Sequence, residues 1–262
     1  MDFLYRKKVT KRSPVKVKRL RLPGQSLHEE IDGRVEKTSE YVVLMALAIV
    51  VAMLDWLRLF FKSPPNPIIS SSLAILVSAY AIWKMLRTRR DVKLLKQARD
   101  GERAIGQCLE RLREGGYRVL HDIVGYGFNI DHVLIGPTGV YTVETKTISK
   151  PAKGPCEITC DGETVSVNGF TPDRNPIVQA KAQANWIKGF LKEVITEDLL
   201  VRPVVLYPGW FVKSQPKRCE VWVLNPDLLP GFLKNERPAL DKRDIQAIEG
   251  CLSVYVRNGT VN

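Results

Sequence analysis

The stretch NIDHVLIGPTGVYTVETKT, from Asn129 to Thr147, contains two runs rich in β-branched and apolar residues, separated by a tight turn. Two glycines and a proline in GPTG (residues 136–139) favour a four-residue loop. With that loop Ile135 pairs with Val140, and the register of the whole hairpin follows. The pattern predicts a half-buried hairpin of two antiparallel strands.

The same register predicts a cluster of charged side chains. It puts Asp131 opposite Glu144 and Asn129 opposite Lys146. Because side chains alternate along a strand, Glu144 and Lys146 share one face, and Asp131 joins them there. Facing carboxylates destabilise a sheet unless something neutralises them. Lys146 could do so in a structural ion pair, or the acids could hold a hard divalent cation with Lys146 alongside.

A third acid is predicted to point toward the sheet. The segment DGERAIGQCLERLREGG (100–116) has apolar residues at helical spacing, and its glycine pair ends the helix. Glu102 lies three residues before Ile105 and seven before Leu109, so it points with the apolar face of the helix toward the sheet. One reading is a metal ligand or its neighbour, and the other is an acid favoured by the helix dipole.

The rest of the region after residue 100 alternates strands and helices. YRVLHDIV (117–124) reads as a strand, and turns at Asp161-Gly162 and Asn168-Gly169 bound a small β excursion. Asn175 and Pro176 open a helix as N-cap and first helical residue. Two short strands and a closing helix are predicted at 201–208, 219–226 and 240–252. These elements indicate an α/β domain.

Three segments together resemble a known family: DGERAIGQCLERL, HDIVGYGFNIDHVLIGPTGVYTVETKT and NPIVQAKAQ. They are similar to the NERD (nuclease-related) domain, which resembles the PD-(D/E)XK nuclease superfamily. The resemblance runs from about Gln97 to Tyr207. It implies a restriction-endonuclease-like core of helix, three-strand sheet, helix and strands, here preceded by two transmembrane helices.

The resemblance also implies roles for individual residues. Asp131 matches the metal-binding aspartate, and Glu144 and Lys146 match the E-x-K element. Glu102 matches an acid on the first core helix, and Gln179 matches a supporting glutamine on the second. No P-D dipeptide precedes the site. The implied cofactor is Mg²⁺ or Mn²⁺, as one or two ions, for hydrolysis of a phosphodiester bond in DNA or RNA.

The net charge of +12 favours a polyanionic partner. Nucleic acid is one candidate, and the lysines expected to hold its backbone are Lys150, Lys153, Lys181 and Lys188. Two rival functions stay open. One is a catalytically inactive module of the same fold that binds nucleic acid or a protein. The other is a membrane scaffold in which the acids and lysine meet by coincidence.

Two long apolar segments precede the α/β region. Tyr41–Phe61 and Ile68–Leu86 are each long enough to cross about 30 Å of hydrocarbon as helices. Prolines between them end the first helix. Asp55 and Arg58 lie three apart, so they could pair near the end of the first span. The alternative is a soluble helical hairpin buried in a core.

Basic residues flank the outer ends of both segments, which predicts two spans with both termini and the nuclease-like domain in the cytoplasm. These residues would also lie against anionic membrane lipids. The predicted organisation is a basic, disordered tail (1–40), a two-span hairpin (41–86), a basic juxtamembrane linker (87–96) and a nuclease-like domain (97–262).

The five cysteines form neither a disulfide framework nor a paired CxxC zinc site. Cys156 and Cys160 could bridge or bind metal, but are better explained as ordinary residues beside a hairpin. His132 should lie on the face of its strand opposite Asp131, so we expect a structural role for it.

Overall fold

The computed structural model describes residues 19–61, 67–125, 127–192, 199–214 and 219–258. It begins with two long antiparallel helices, α1 (Gln25–Phe60) and α2 (Pro67–Glu110). Small buried side chains at their contact, Ala52, Ala74 and Ala81, let the two backbones approach closely. Near the end of α1 and the start of α2, the Trp56 indole N–H donates to Ser71 Oγ over 2.9 Å.

Both helices are long and apolar enough to cross a membrane. Only 6% and 11% of the residues in their most apolar windows are buried inside the protein, unlike the core helix of a soluble hairpin. The predicted Asp55–Arg58 pair is present, with Arg58 Nη1 3.9 Å from Asp55 Oδ1.

Both helices extend beyond the predicted spans. Residues 25–40, expected in a disordered tail, belong to α1 because Ile31 is buried and Glu30 pairs with Arg34 one turn later. Residues 87–96, expected to form a separate linker, lie inside α2, since no glycine or proline interrupts this stretch. The rest of the predicted tail (1–18) and the loop at 62–66 are outside the described residues.

The α/β region is built on a five-stranded sheet in the order β1-β2-β3-β6-β8. Its strands are β1 (Arg118–Val124), β2 (Asn129–Gly136), β3 (Gly139–Thr145), β6 (Val201–Leu206) and β8 (Trp222–Leu224). The first three are antiparallel, while β6 runs parallel to β3 and β8 parallel to β6. This is the predicted α/β fold.

Helices cover both faces of this sheet. Helices α3 (Pro176–Leu191) and α5 (Lys242–Asn258) pack on one face, and the end of α2 with α4 (Leu229–Lys234) packs on the other. As predicted, the side chain of Asn175 caps α3 by accepting from the Ile177 N–H. Double coverage explains why every residue of the central strand β3 is buried.

A smaller sheet lies beside the main one in the order β5-β4-β7. Strands β4 (Glu157–Cys160) and β5 (Val165–Val167) are the predicted excursion, and β7 (Phe211–Ser214) was not predicted. This sheet and α3 share a core that contains Ile158, Ile177 and Trp210. All five cysteines are free thiols, including Cys156 and Cys160.

Candidate active site

The hairpin register predicted from the turn is confirmed. Val140 pairs with Ile135, and the ladder continues to the pair His132–Val143. Beyond that pair, the backbone N–H of Thr145 donates to Asp131 Oδ2 over 2.7 Å. The Asp131 carboxylate therefore lies at the end of the ladder, held against the last residue of β3.

Glu144 and Lys146 form one hydrogen-bonded network with α3. Lys146 Nζ donates to Glu144 Oε1 over 2.7 Å and to Gln179 Oε1 over 2.9 Å. The amide of Gln179 donates to Glu144 Oε1 over 2.8 Å, and that of Gln183 donates to Glu144 Oε2 over 2.6 Å. Both oxygens of this buried carboxylate are satisfied, so α3 fixes its orientation.

Gln183 was missed by the sequence reasoning, although a signal for it exists. It follows Gln179 by four residues on α3, so both amides extend from the same face of the helix. Its Nε2 also donates to the backbone oxygen of Asn129 over 2.9 Å. Gln183 thus ties β2 to the carboxylate on β3.

Glu102 reaches the sheet because of the residue before it. A Cβ on Gly101 would lie 1.7 Å from Thr147 Oγ1, so only glycine lets α2 come this close to the end of β3. The carboxylate of Glu102 is 7% exposed and accepts the backbone N–H of Gly24. Its Oε2 is buried and has no hydrogen-bond partner among the residues that the structure describes. The orientation predicted from helical spacing is correct.

Burial and crowding of acids perturb the carboxyls. Burial, reinforced by the charges of Asp122 and Glu144, raises the pKa of Glu102 to about 8. The pKa of Asp131 is raised well above its ordinary value by burial, then by the charges of Glu144 and Glu102. The positive charge of Lys146 offsets only part of these two increases in pKa. Glu102 therefore retains its proton at neutral pH unless a cation replaces it.

The donors fit a hard divalent cation. Within the described ranges, no three His, Cys, Asp or Glu side chains are close enough to hold one metal ion as a complete set. Mg²⁺ does not need such a cage, because proteins usually bind it with one or two carboxylates while water and phosphate oxygens fill the remaining positions. Two carboxyls are ligands of the required kind: Glu102, whose Oε2 has no hydrogen-bond partner among the described residues, and the buried Asp131.

Asp122 is a further buried acid at this site. It has a left-handed backbone with φ of 53°, and its side chain is fully buried. The carboxylate accepts from Arg21 Nε, from the backbone N–H of Ser26 and from the amide of Asn129. Arg21 lies 101 residues away in the chain, so no local sequence pattern could have found this pair.

The histidines occupy the other face of β2, as expected for His132. His132 Nδ1 lies 2.9 Å from His121 Nδ1, and His121 Nε2 lies 2.9 Å from Glu110 Oε1. Burial lowers the pKa of His121 and, more strongly, that of His132. The pair packs between the sheet and α2, where His121 also interacts with the charge of the neighbouring Asp122.

The four candidate nucleic-acid lysines are not equivalent. Lys150 is exposed near Gly209, where an added Cβ would lie 3.0 Å from its Nζ, and Lys153 is exposed on the same loop. Lys181 is paired with Glu220 at 2.7 Å. Lys188 is partly buried on α3. The loop lysines have the most accessible charges.

A comparison with family models identifies the domain that contains these residues. The family model of NERD, the nuclease-related domain, matches residues 97–208, the segment that contains Glu102, Asp131, Glu144, Lys146 and Gln179. Neither the curated proteins nor the solved structures contain a match to the chain.

Proposed function

Because residues 97–208 form a nuclease-related domain, we propose that the protein is a membrane-anchored, metal-dependent nuclease that hydrolyses phosphodiester bonds of DNA or RNA. The observation that carries the proposal is the cluster of buried acids around one lysine. Burying several carboxyls together is costly for folding, and a fold retains such a cost most readily where the acids serve chemistry.

Each acid has a role in this proposal. Asp131 and Glu144 would hold the divalent ion, and Glu102, whose Oε2 has no hydrogen-bond partner among the described residues, would complete or tune the site. The bound ion supplies positive charge that polarises the phosphate and lowers the pKa of a bound water. The raised pKa of Glu102, about 8, means that metal and proton compete for this carboxyl at neutral pH.

Lys146 positions or stabilises the reacting groups. Its ammonium is held by Glu144 and Gln179, which fixes the direction of its remaining N–H donor. That donor orients the attacking water or stabilises the charge that develops on the phosphate. Gln179 and Gln183 act through Glu144 as positioning residues.

The substrate backbone is held by positive charge. Lys150 and Lys153 would contact phosphates without reading sequence, and Lys188 and Lys181 would extend the surface along α3. The ion pair with Glu220 must open for Lys181 to contribute. Binding should therefore weaken steeply as salt is raised.

The helical hairpin is the proposed anchor. Its two apolar helices are antiparallel, so both of its ends lie on the same side of a membrane that both helices cross. The basic residues at these ends favour the cytoplasm. A reporter fused to the C-terminus should be inaccessible from outside intact cells, and labelling from outside would refute this topology.

Cleavage by the purified full-length protein in detergent tests the catalytic proposal. Single- and double-stranded DNA and RNA are incubated with Mg²⁺, Mn²⁺ or EDTA. We expect cutting that requires the divalent ion and falls at least about 100-fold in Asp131→Asn and Lys146→Met. The matched exposed variants Asp173→Asn and Lys234→Met should cut like the wild type.

The alternative is a catalytically inactive module that binds nucleic acid or a protein at the membrane. One feature favours it: the chain itself neutralises part of the site, since Lys146 pairs with Glu144 and Arg21 with Asp122. Binding of nucleic acid without cutting under every metal condition would replace the nuclease proposal with this one.

A further inference from the structure

A cavity of about 530 Å³ opens between α1 and α2 at the basic end of the hairpin. Its apolar lining includes Val35, Val42 and Met85. Its cationic lining consists of Arg89, Lys93 and Lys96. Volumes of this size are typical of sites that hold a small molecule.

The cavity lies where the apolar spans end. Val42 follows the first residue of one apolar segment, and Met85 precedes the last residue of the other. The three cations follow along α2 at spacings of four and three residues, so they form one stripe on the helix face that lines the cavity. In helices that cross a bilayer as proposed, Val42 and Met85 would therefore lie toward the hydrocarbon, and the three cations would follow toward the headgroups.

Among the described residues, the three cations have no acidic partner. Within the described part of the chain, no carboxylate lies within salt-bridge distance of Arg89, Lys93 or Lys96. The neighbouring Arg34 differs, because it is paired with Glu30 at 2.7 Å and with Asp91 at 3.2 Å. Three unpaired positive charges around one apolar cavity attract an anion that also carries an apolar part.

We propose that this cavity binds one anionic phospholipid, with its phosphate on Arg89, Lys93 and Lys96 and an acyl chain against Val42 and Met85. The inference rests on the proposed membrane anchoring of the hairpin. It goes beyond general attraction of basic residues to an anionic surface, because it assigns a single site with its own stoichiometry.

Native mass spectrometry of the full-length protein in detergent tests the site. The protein is titrated with phosphatidylglycerol or with phosphatidylcholine, without nucleic acid or divalent ions. We expect one phosphatidylglycerol to be retained per chain, at least 10-fold more tightly than phosphatidylcholine. The variant Arg89→Ala/Lys93→Ala/Lys96→Ala should lose at least 10-fold in affinity for phosphatidylglycerol.

A matched variant separates a site from general charge attraction. Arg87→Ala/Arg90→Ala/Arg103→Ala removes the same charge from exposed positions of the same helix outside the cavity lining. Its affinity for phosphatidylglycerol should fall less than 2-fold. Thr38→Trp fills the cavity without changing charge and should also abolish retention. Circular dichroism and the pH-dependent unfolding of each variant verify that it is folded.

Three results would overturn the proposal: equal losses in the two triple variants, equal retention of the two lipids, or displacement of the lipid by millimolar inorganic phosphate. None of them depends on nuclease activity. Extraction of the protein from membranes by alkaline carbonate would instead refute the anchoring itself, so the two failures can be told apart.

Discussion

The protonation of Glu102 links the stability of the domain to pH. Burial beside other acids raises its pKa from an ordinary 4.5 to about 8. Between these values the folded chain holds a proton that the unfolded chain releases, so stability falls as pH rises through this window. At 1.36 kcal/mol for each pKa unit, this carboxyl destabilises the fold by about 3 kcal/mol at pH 7 and about 1 kcal/mol at pH 5.

Replacing the carboxyl by a neutral amide should remove this pH dependence. Glu102→Gln keeps an oxygen that can accept the Gly24 N–H, and it cannot ionise. The advantage of the variant over the wild type in free energy of unfolding should grow by about 2 to 3 kcal/mol between pH 5 and pH 7.

Urea unfolding in detergent, followed by tryptophan fluorescence, measures the difference. Trp210 and Trp222 are buried in the domain and report on its unfolding. Glu163→Gln, at an exposed turn, is the matched control and should track the wild type at every pH. A constant difference between Glu102→Gln and the wild type from pH 5 to pH 8 would refute the reasoning, since it would mean that Glu102 titrates alike in both states.

Three further predictions concern the surroundings of the site. Gly101→Ala should destabilise the domain by at least about 2 kcal/mol in the same urea assay and reduce any cleavage. Its control is Gly189→Ala, whose added Cβ would have no described atom outside its own helix within 4 Å, so this variant should be neutral or slightly stabilising. Gln183→Ala leaves one oxygen of Glu144 without its donor, so the free energy of unfolding should fall by about 1 to 3 kcal/mol. The variant should also lower kcat more than it changes KM. Unchanged stability would exclude the role given to this amide. The pKa of His132 lies well below 6.5, so in the wild type protonation of the unfolded chain lowers stability as the pH falls below that value. The free energy of unfolding of His132→Phe should therefore rise relative to that of the wild type by about 1 kcal/mol for each pH unit below about 6.5. Equal dependence of the two free energies on pH would contradict this.

Much of the fold was predictable from local patterns. The GPTG turn gave the pairing of Ile135 with Val140, and alternation then put His132 on the face away from the acids. Asn175 and Pro176 marked the start of α3. These predictions are correct because a turn or a helix start is decided by residues next to it in the chain.

Both helices of the hairpin extend beyond the predicted apolar segments. The apolar runs mark the parts of α1 and α2 that could cross a membrane, but both helices continue well beyond them. A change in polarity does not end a helix when the polar residues that follow are good helix formers, as in residues 87–96. Strand β7 was missed because its partner β4 is distant in the chain.

By itself, the sequence determined the hairpin register, the α/β order and the presence of two apolar helices, since each depends on periodicity and turn chemistry within a short segment. Only the tertiary structure decided the surroundings of the acids. The contact of Gly101 with Thr147 buries Glu102, the amide of Gln183 fixes Glu144, and Arg21 neutralises Asp122. These contacts join residues far apart in the chain, and burial in a shared interior, rather than residue type, sets the protonation of a carboxyl.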